Sequence, residues 1–573
     1  MPDWVWRLAD LHSEVLAPEL GAWPQPLRQL LYNRGLCTAE QVELFLHPES
    51  GRPNDPFLLR GMALAVERIQ EAVLGGELIG VYGDFDVDGL TAAALLVEVL
   101  GSPFLGGQVI PYLPHRVREG YGLNPEAIRR LAGMGVKLLI TADCGIGGDR
   151  EIQLANDLGM QVLVTDHHRV SGSLPPALAV LNPKQADCPY PFKELAGVGV
   201  AFKLAEALLA KLWGLEEARR RLEPELDLVA LGTVADLAPL IGENRVLVRL
   251  GLEQLNRHRR LGLRSLISVA GLDGRSIDSE LIAYSLAPRL NAAGRMGDAR
   301  LSLDLLTSRS ESEAVQWAMD LEVMNRERQA ATYSAVSSAR DELGRLPDLP
   351  PAIVLAGDYP AGVVGLVANK LAEEFHRPAF VIERGEFESR GSGRGIVGFD
   401  IVRALAESSD LLIRFGGHQQ AGGFAFPTSA IDAVRARLEA SSLRQLGEVA
   451  PERELLLEAS LRPGEVGPSV YQQLSTLEPY GVGNPRPLFL ASRLQVRDAR
   501  VVGSNHLKLW VADEGGTSSA IGFGMGTEKY DFARSGARVD CAFTISRNER
   551  NGTVGYEMVL KDLRPSAARA RAR

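Results

Sequence analysis

Acidic residues stand directly after apolar runs at several places in the first half of the chain. A lone acid, Asp236, is also the only charged residue of the apolar segment 228–240. Clusters of aspartate and histidine without thiolates are typical of sites for divalent cations such as manganese and magnesium. The runs and their acids are L-I-G-V-Y-G at 78–83 before Asp84, Asp86 and Asp88, K-L-L-I-T-A at 137–142 before Asp143, and Q-V-L-V-T at 161–165 before Asp166, His167 and His168.

The elements that carry these acids are predicted to form a parallel sheet. Between residues 78 and 240 short apolar runs alternate with helical patterns, which favours a sheet covered by helices. Every strand of such a sheet delivers its C-terminal end to the same edge, where ligands bind. The aspartates therefore converge, and because they repel one another they need cations. A site with two metal ions explains their number.

Each part of this pattern also has a plain structural interpretation. Asp143 alone is typical of a turn, and Asp236 alone fits a helix cap as well as it fits a ligand. The acids at 84–88 could form a calcium loop, but they lack the glycine and glutamate spacing of an EF-hand. His167 and His168 could belong to a solvated turn. Their occurrence together, each at a strand end, favours the metal site.

The chain of 573 residues is too long for a single hydrophobic core. Residues 311–343 contain neither proline nor glycine and predict a long helix. The turn Asn551-Gly552, between alternating apolar flanks, predicts a hairpin. The predicted order is an N-terminal helical segment at 1–70, an α/β domain at 71–310, a connecting helix at 311–345, a smaller α/β domain at 346–447, a β-barrel at 448–565 and a basic disordered tail at 566–573.

Composition limits the other classes. No uncharged stretch is long enough to cross a membrane, and the start Met1-Pro2-Asp3-Trp4 has no signal-peptide pattern, so a cytoplasmic protein is expected. The four cysteines are far apart and predict free thiols. The net charge of -10 argues against nucleic-acid binding unless the carboxylate cluster accounts for it and arginines elsewhere face the phosphates.

The motifs resemble those of the DHH phosphoesterase superfamily. Three further segments are similar to the RecJ family in particular, and two more resemble the substrate-binding motifs of the DHH-associated domain. The superfamily motifs are D-F-D-V-D-G at 84–89, A-D-C-G at 142–145, D-H-H at 166–168 and G-T-V-A-D at 232–236. The others are P-H-R-V-R-E-G-Y-G-L at 114–123, P-R-L-N-A-A-G-R-M at 288–296, L-E-P-Y-G-V-G-N-P-R-P-L-F at 477–489, G-S-G-R at 391–394 and G-G-H at 416–418.

This resemblance implies a fold and an activity. The fold is a DHH domain and a DHH-associated domain joined by the long helix, followed by an OB-fold barrel. The activity is hydrolysis of single-stranded DNA from the 5′ end to 5′-mononucleotides, in DNA repair and recombination, with two Mn²⁺ or Mg²⁺ ions. Tyr480, Phe489 and Trp510 are either barrel core or stacking partners for bases, and core is the more frequent role of such residues.

The resemblance also implies roles for individual residues. Asp84, Asp86, Asp88, Asp143 and His168 are the expected catalytic residues, and His168 would stabilise phosphate or transfer a proton. The expected metal ligands are Asp86, Asp88, Asp143, Asp166, His167 and Asp236. Arg116, Ser392 and Arg394 would hold the 5′-phosphate, and Arg289, Asn291, Arg295, Gly416, Gly417 and His418 would contact the strand. Gly395 and Gly422 depart from the usual serine and alanine of these motifs.

The sequence leaves two alternative functions and several partners open. A DHH-type phosphatase or oligoribonuclease would need neither the N-terminal segment nor the barrel. A catalytically inactive DHH scaffold that binds replication proteins would not need its full set of aspartates. The resemblance suggests a monomer whose partners are single-stranded DNA, single-strand-binding protein and a RecQ-type helicase, with no membrane contact.

Overall fold

The structure is a computed structural model that describes residues 4–11, 17–48, 51, 53–170, 172–447, 452–550 and 553–566. These residues form two compact units. The first unit contains the described residues from 53 to 447, and the second contains those from 4 to 51 together with those after 451. The predicted turn Asn551-Gly552 and residues 567–573 of the predicted tail lie outside the described residues.

The N-terminal segment is helical only in part. It contains a strand, β1 (Trp4–Leu8), and two helices, α1 (Leu27–Asn33) and α2 (Ala39–Leu46). Thr38 begins α2 with a capping box, in which its side chain and that of Gln41 each accept a backbone N–H. β1 pairs in parallel with residues 453–457. The segment to residue 51 thus belongs to the same compact unit as the C-terminal barrel.

A five-stranded parallel sheet forms the middle of the first unit, in the order β3-β2-β4-β5-β6. The elements are α3 (Met62–Leu74), β2 (Leu78–Gly83), α4 (Val87–Leu100), β3 (Gln108–Tyr112), α5 (Pro125–Gly133), β4 (Val136–Ala142), α6 (Asp149–Asp157), β5 (Gln161–Thr165), β6 (Ala179–Leu181), α7 (Gly197–Trp213), α8 (Leu215–Leu222), α9 (Leu226–Ala235), α10 (Gly242–Asn256), α11 (Leu261–Val269), α12 (Ser279–Leu281), a π-helical turn at 282–286, α13 (Ala287–Met296) and α14 (Arg300–Leu306).

Alternate residues of the strands face two different cores, as the period of a strand requires. Ile79 and Val81 of β2 join the larger core, which includes α4, α7 and α9, whereas Tyr82 joins a smaller core with α5 and α6. The chain runs from β2 outward to β3 and returns to β4 on the other side of β2. The sheet therefore has its topological switch point at the C-terminal ends of β2 and β4, where ligands bind in open α/β sheets.

Helix α15 (Glu311–Leu343) occupies the positions predicted for the connecting helix. The mixed sheet that follows has the order β10-β11-β9-β8-β7, in which only β7 and β8 are parallel. Its elements are β7 (Ile353–Gly357), α16 (Val364–Phe375), β8 (Ala379–Glu383), β9 (Glu388–Arg394), α17 (Ile401–Ala406), β10 (Arg414–His418), β11 (Ala421–Pro427) and α18 (Ile431–Leu446). It packs around a core of its own.

The C-terminal strands close into a barrel, as predicted. The ring β14-β15-β16-β18-β17 closes because β14 also pairs with β17. Tyr480 and Phe489 are buried in it, and Trp510 is half exposed. The elements are β12 (Arg453–Leu457), β13 (Ala459–Ser460), α19 (Pro468–Ser475), β14 (Phe489–Val502), β15 (His506–Asp513), β16 (Gly516–Gly522), α20 (Gly526–Lys529), β17 (Arg538–Arg550) and β18 (Thr553–Pro565).

Two expectations from composition can be compared with the structure. Among the described residues, no helix is both long and apolar enough to span a bilayer. All four cysteines are free.

The fold class is confirmed in each of its parts, namely the parallel sheet, the long helix, the smaller α/β domain and the barrel.

Candidate metal centre

The acids that follow β2 are held by backbone amides. Asp86 begins α4 and accepts the N–H groups of Asp88 and Gly89 at 3.1 and 3.2 Å. Asp88 accepts the N–H groups of Gly197 and Val198 at 2.6 and 2.8 Å, so it is fixed against the start of α7. A helix N-terminus favours a negative charge, which explains this placement.

The acid that follows β4 has an unusual backbone. Asp143 has a φ of +63°, in the left-handed region that non-glycine residues rarely adopt. Gly197 packs on it so closely that a Cβ there would lie 2.6 Å from the Asp143 Cβ. Strain of this kind occurs at functional sites, where the surrounding structure enforces a particular side-chain direction.

Asp166, the first residue after β5, is surrounded by hydrogen-bond donors. Asp166 accepts from the backbone of Ile146, His167 and His168 and from Nδ1 of His168, at 2.7 to 2.9 Å. Burial alone would raise the pKa of Asp166, but these bonds and the charge of His168 lower it. Its oxygens are thus occupied by protein donors. In this geometry Asp166 orients His168, and its predicted role as a metal ligand stays a prediction.

Potential ligand atoms of the other residues converge. Nε2 of His167 lies 3.1 Å from Oδ1 of Asp143, 3.8 Å from Oδ2 of Asp236 and 3.9 Å from Oδ2 of Asp88. Within each of three groups, the possible ligand atoms all lie within 4.8 Å of one another. The groups are Asp84 with Asp86 and Asp143, Asp88 with His167 and Asp236, and Asp143 with His167 and His168.

Asp236 stands at the C-cap of α9. The partial negative charge of a helix C-terminus disfavours a carboxylate, so a capping role does not explain this acid. Burial first, and then the charges of Asp88 and Asp86, raise its pKa to about 8. A neighbouring cation would remove this unfavourable interaction, which favours the ligand interpretation of Asp236 over the cap.

The electrostatics of the whole cluster fit divalent cations. Burial, and then the neighbouring carboxylates, raise the pKa of Asp88 to about 7 and hold those of Asp84 and Asp143 well above the usual range. Burial and the charge of His168 lower the pKa of His167 to about 3, so its imidazole is neutral, as a metal ligand must be. Asp84 Oδ1, Asp143 Oδ1 and His167 Nε2 are buried, and no described residue forms a hydrogen bond with them. Metal ions would satisfy all three.

The predicted phosphate-binding residues come from both α/β domains of the first unit. Arg116 lies over the Phe85 ring at 4.5 Å, and Nη1 of Arg394 donates to Oγ of Ser392 at 2.8 Å. The His418 ring stacks on that of His168 with centroids 5.4 Å apart. Burial lowers the pKa of Arg394, and the charge of Arg116 lowers it further, so these two guanidinium groups are neighbours. Two cations that repel each other are suited to an anion between them.

The other residues predicted to contact the DNA strand differ in their hydrogen bonds and in their packing. Arg289 is engaged, because it donates to Glu322 at 2.8 Å and to the Ser285 carbonyl at 2.7 Å. Asn291 Oδ1 is buried without a partner among the described residues. Gly417 has a φ of +140°, and a Cβ there would lie 2.3 Å from the Ala421 carbonyl, whereas a Cβ at Gly416 would meet nothing within 4 Å. Packing therefore explains only the second of the two glycines.

The departure at Gly422 has a local cause. A Cβ at this position would lie 2.7 Å from Ile401, so the alanine that is usual in the motif does not fit against α17. At Gly395 a Cβ would lie 3.2 Å from the Phe399 carbonyl, which is also tight. Both departures are matched by packing within the second α/β domain and leave the phosphate-binding residues in place.

Sequence reasoning missed two residues at the site. The hydroxyl of Tyr121 lies 3.1 Å from Nδ1 of His168, and Tyr121 belongs to the motif at 114–123, which could have indicated it. Arg328, on α15, lowers the pKa of Arg295 together with burial and Arg116, so it lies near the site. No local signal marks Arg328, because it is one of several charged residues on a long polar helix.

Comparison with known proteins agrees with this geometry. Residues 78–233 match the model of the DHH family, N-terminal domain, and residues 457–562 match that of the RecJ OB domain. A relative from Bacillus subtilis, the single-stranded-DNA-specific exonuclease RecJ, is 38% identical over 542 residues, which cover 93% of this chain and 67% of the relative. The crystal structure of RecJ from Thermus thermophilus with Mn²⁺ superposes with a TM-score of 0.83 at 32% identity, covering 98% of this chain and 80% of that one.

The chain belongs to the RecJ family. The Mg²⁺ complex of the Thermus thermophilus RecJ also matches, with a TM-score of 0.77 at 31% identity over 98% of this chain and 79% of that one. The resemblance seen in the motifs is thereby confirmed over nearly the whole chain. The RecJ match includes the barrel as well as the parallel sheet, which separates this chain from DHH proteins that consist of the two α/β domains alone.

Proposed function

We propose that the chain is a metal-dependent exonuclease that degrades single-stranded DNA in the 5′→3′ direction to 5′-mononucleotides, in DNA repair and recombination. One observation carries the proposal: buried acids converge at the switch point of the sheet, and Arg116 and Arg394, neither of which forms an ion pair with a described carboxylate, lie close to them and to each other. The Bacillus subtilis relative and the two Thermus thermophilus structures described above are named as RecJ, and that relative is named as an exonuclease specific for single-stranded DNA.

The metal ions are Mn²⁺ or Mg²⁺, and two groups of side chains would hold them. Asp84 and Asp86 with Asp143 suit one ion, and Asp88 and Asp236 with His167 suit the other. Asp143 lies 3.1 Å from His167 and can bridge the two groups. When bound, the ions supply positive charge to the phosphate and a hydroxide near neutral pH.

His168 is placed to move a proton. Burial would lower its pKa, but the hydrogen bond from Nδ1 to Asp166 and the charge of Asp166 raise it overall. The raised pKa favours the protonated imidazole, which can donate from Nε2 to the 3′-oxygen that leaves during hydrolysis. His418 stacks on the His168 ring and limits its rotation. Asp166 thus fixes both the orientation and the charge of the general acid.

The substrate residues divide between the terminal phosphate and the strand. Arg116, Ser392 and Arg394 bind the 5′-phosphate, for which the planar guanidinium group offers paired donors. Asn291, Arg295 and Gly417 line the strand beyond it, and Arg289 is held by Glu322 to support them. Recognition of a free 5′-phosphate orders the strand end at the metal centre, which gives the exonuclease its polarity.

The barrel and the partners complete the proposal. The OB domain binds the single strand through basic and aromatic side chains, of which Trp510 is half exposed and can stack on a base. The protein is a cytoplasmic monomer, and single-strand-binding protein and a RecQ-type helicase are partners that the family suggests. Sedimentation velocity of the purified chain, alone and mixed with each partner, tests these assignments, and a stable dimer would contradict the monomer.

Digestion of defined substrates with Mn²⁺ tests the proposed activity. Single-stranded DNA, duplex DNA and short RNA, each labelled at the 5′ end, are incubated with wild type, Asp143→Ala and the control Asp157→Ala. Asp157 is an exposed acid on α6, so its loss should leave cleavage unchanged. Labelled mononucleotide from single strands only, absent with Asp143→Ala, supports the exonuclease. Cleavage confined to dinucleotides would favour a phosphatase or oligoribonuclease, and absence of cleavage by wild type would favour an inactive scaffold.

A further inference from the structure

A cavity of about 140 Å³ lies where four helices of the first unit meet. Its polar lining comes from Asn291 and Arg295 of α13 and from Arg328 of α15. Its apolar lining includes Leu237, just after α9, and Leu366 of α16. Ala235 and Leu237, which precede and follow Asp236 in the chain, both line the cavity, so it lies beside the metal centre.

Arg328 is the cation in this cavity that has no assigned function. Nη2 donates to Asn325 Oδ1 at 2.7 Å, and Nε is buried without a partner among the described residues. Within the part of the chain that the structure describes, no carboxylate forms an ion pair with Arg328. Arg326, two residues earlier on the same helix, is 76% exposed and pairs with Glu322. The unpaired guanidinium is thus the one that faces the cavity.

Arg295 has the same property. Its Nη1 donates to the Gly362 carbonyl at 3.2 Å, and no described carboxylate pairs with it. Two partly buried guanidinium groups placed together without counter-charge are unfavourable, because each loses part of its hydration and they repel each other. Natural proteins keep such pairs where a ligand supplies the negative charge. The cavity is therefore suited to an anion.

The rest of the lining indicates what kind of anion. Asn291 Oδ1 is buried without a partner in the described part of the chain, and an amide can turn its donor end towards a phosphate oxygen. The apolar walls suit the sugar and base that flank a phosphodiester better than they suit a hydrated inorganic ion. Leu237 has a φ of +61° and is 64% exposed, so a strained backbone holds an apolar side chain at the mouth of the cavity.

Arg289, which the resemblance suggests as a contact to the DNA strand, is not among the residues that line the cavity. Its guanidinium is held by Glu322 and by Ser285. Glu322 also pairs with Arg326, so this network joins α13 to α15 and fixes the helix from which Arg328 projects. Arg289 is a positioning residue for the cavity, and Arg328 is the residue available to a ligand.

We propose that Arg328, with Arg295 and Asn291, binds an internal phosphodiester of the DNA strand, distinct from the terminal phosphate held by Arg116, Ser392 and Arg394. This inference rests on the proposed exonuclease function. The connecting helix then takes part in substrate binding as well as joining the two α/β domains. Substrates long enough to place a phosphate in the cavity should bind more tightly than shorter ones.

The test combines a variant with a modified substrate. Oligonucleotides with a 5′-phosphate carry a single uncharged methylphosphonate, moved in turn along the linkages nearest the 5′ end. Cleavage by wild type is compared with cleavage by Arg328→Gln and by the control Arg326→Gln. At one internal linkage, wild type and the control should lose about tenfold in kcat/KM, because a charged hydrogen bond is lost. Arg328→Gln should show that loss with the unmodified strand and little further loss at that linkage.

Other outcomes overturn the inference. If Arg328→Gln cleaves the unmodified strand as wild type does, or is as sensitive as wild type at every linkage, Arg328 binds no phosphate. Thermal unfolding establishes whether Arg328→Gln folds. If it is unstable, Arg328→Lys replaces it in the test. This variant keeps the charge but not the paired donors, so its kcat/KM for the unmodified strand should be lower than that of wild type by less than tenfold. A wild type without nuclease activity would overturn the proposed function itself, whereas an active wild type with an unaffected variant overturns this inference alone.

Discussion

Nε2 of His167 and Oδ1 of Asp143 face each other at 3.1 Å, both buried, and neither has a hydrogen-bonding partner within the described part of the chain. A neutral imidazole and a carboxylate at this distance would ordinarily share a proton. Burial and the charge of His168 instead lower the pKa of His167, while burial and other carboxylates raise that of Asp143. The pair is therefore arranged to bind a cation. Replacing Asp143 should raise the stability of the metal-free protein and lower the stability of the protein with metal.

Asp143→Asn is expected to make the metal-free protein more stable. The amide removes one of several mutually repelling buried carboxylates, and such a change is worth on the order of 1 to 3 kcal/mol. The same variant should lose most of the thermal stabilisation that Mn²⁺ gives to wild type, and its nuclease activity should fall by roughly a hundredfold or more. Thermal unfolding with and without Mn²⁺, together with single-strand digestion, measures the three effects.

The matched control is Asp157→Asn, which alters an exposed acid on α6. Its metal response and activity should equal those of wild type. A metal-free Asp143→Asn protein that is less stable than wild type, yet responds fully to Mn²⁺, would show that Asp143 has a structural role and binds no ion.

The metal-free protein should lose stability as pH rises. The pKa of Asp88 is raised to about 7 and that of Asp236 to about 8, mainly by burial. A raised pKa favours the protonated form in the folded state, so the stabilising contribution is complete at acid pH and is lost as pH rises towards 8. Because a tenfold change in a proton-binding constant corresponds to about 1.4 kcal/mol, the loss is on the order of several kcal/mol.

Denaturant unfolding between pH 5 and pH 9 measures this dependence. With chelator, the free energy of unfolding should fall up to about pH 8 and then level off for these groups. With saturating Mn²⁺ the slope should flatten or reverse, because the ions compete with protons for the same carboxylates. A slope that is the same with chelator and with Mn²⁺ would contradict the assignment of Asp88 and Asp236 as ligands.

Much of the fold and the centre of the site could be predicted from the sequence. Strand period and strand-end aspartates locate β2, β4 and β5, and the parallel topology then requires Asp86 and Asp143 to meet. The alternation of strand and helix patterns is enough to predict that these strands are parallel and end at the same edge of the sheet. The DHH and RecJ motifs add the other acids and the barrel.

The parts that could not be predicted depend on tertiary contacts. The placement of β1 beside β12 joins segments more than 440 positions apart, and nothing in the local pattern of residues 4–8 indicates its partner. Asp166 and His167 differ in their hydrogen bonds: backbone amides and His168 occupy the oxygens of Asp166, whereas Nε2 of His167 has no hydrogen-bonding partner among the described residues. The ion pair between Arg289 and Glu322, which engages the guanidinium of Arg289, joins two helices and is not indicated by the local sequence of either.

Arg394→Lys should weaken the preference for a 5′-phosphate. Lysine keeps the charge but cannot offer two parallel donors, and it would leave Oγ of Ser392 without the bond at 2.8 Å. The ratio of kcat/KM for a 5′-phosphorylated strand to that for a 5′-hydroxyl strand should fall about tenfold or more. Arg390→Lys is the control, since Arg390 lies on the same strand and is half exposed. An unchanged ratio in Arg394→Lys would place the terminal phosphate elsewhere.

Tyr121 is expected to act through His168. The losses of kcat caused by Tyr121→Phe and by His168→Ala should therefore not multiply in the double variant. The Tyr121 hydroxyl lies 3.1 Å from Nδ1 of His168, whose other partner is Asp166 at 2.8 Å. His168→Ala removes the proposed general acid and should lower kcat by a factor of roughly a hundred to ten thousand. Tyr121→Phe removes one orienting contact and should lower kcat by about tenfold, without changing the stabilisation by Mn²⁺. The double variant should be no slower than His168→Ala, because an orienting hydroxyl has nothing to orient once the imidazole is gone. Losses that multiply in the double variant would mean that Tyr121 contacts the substrate independently.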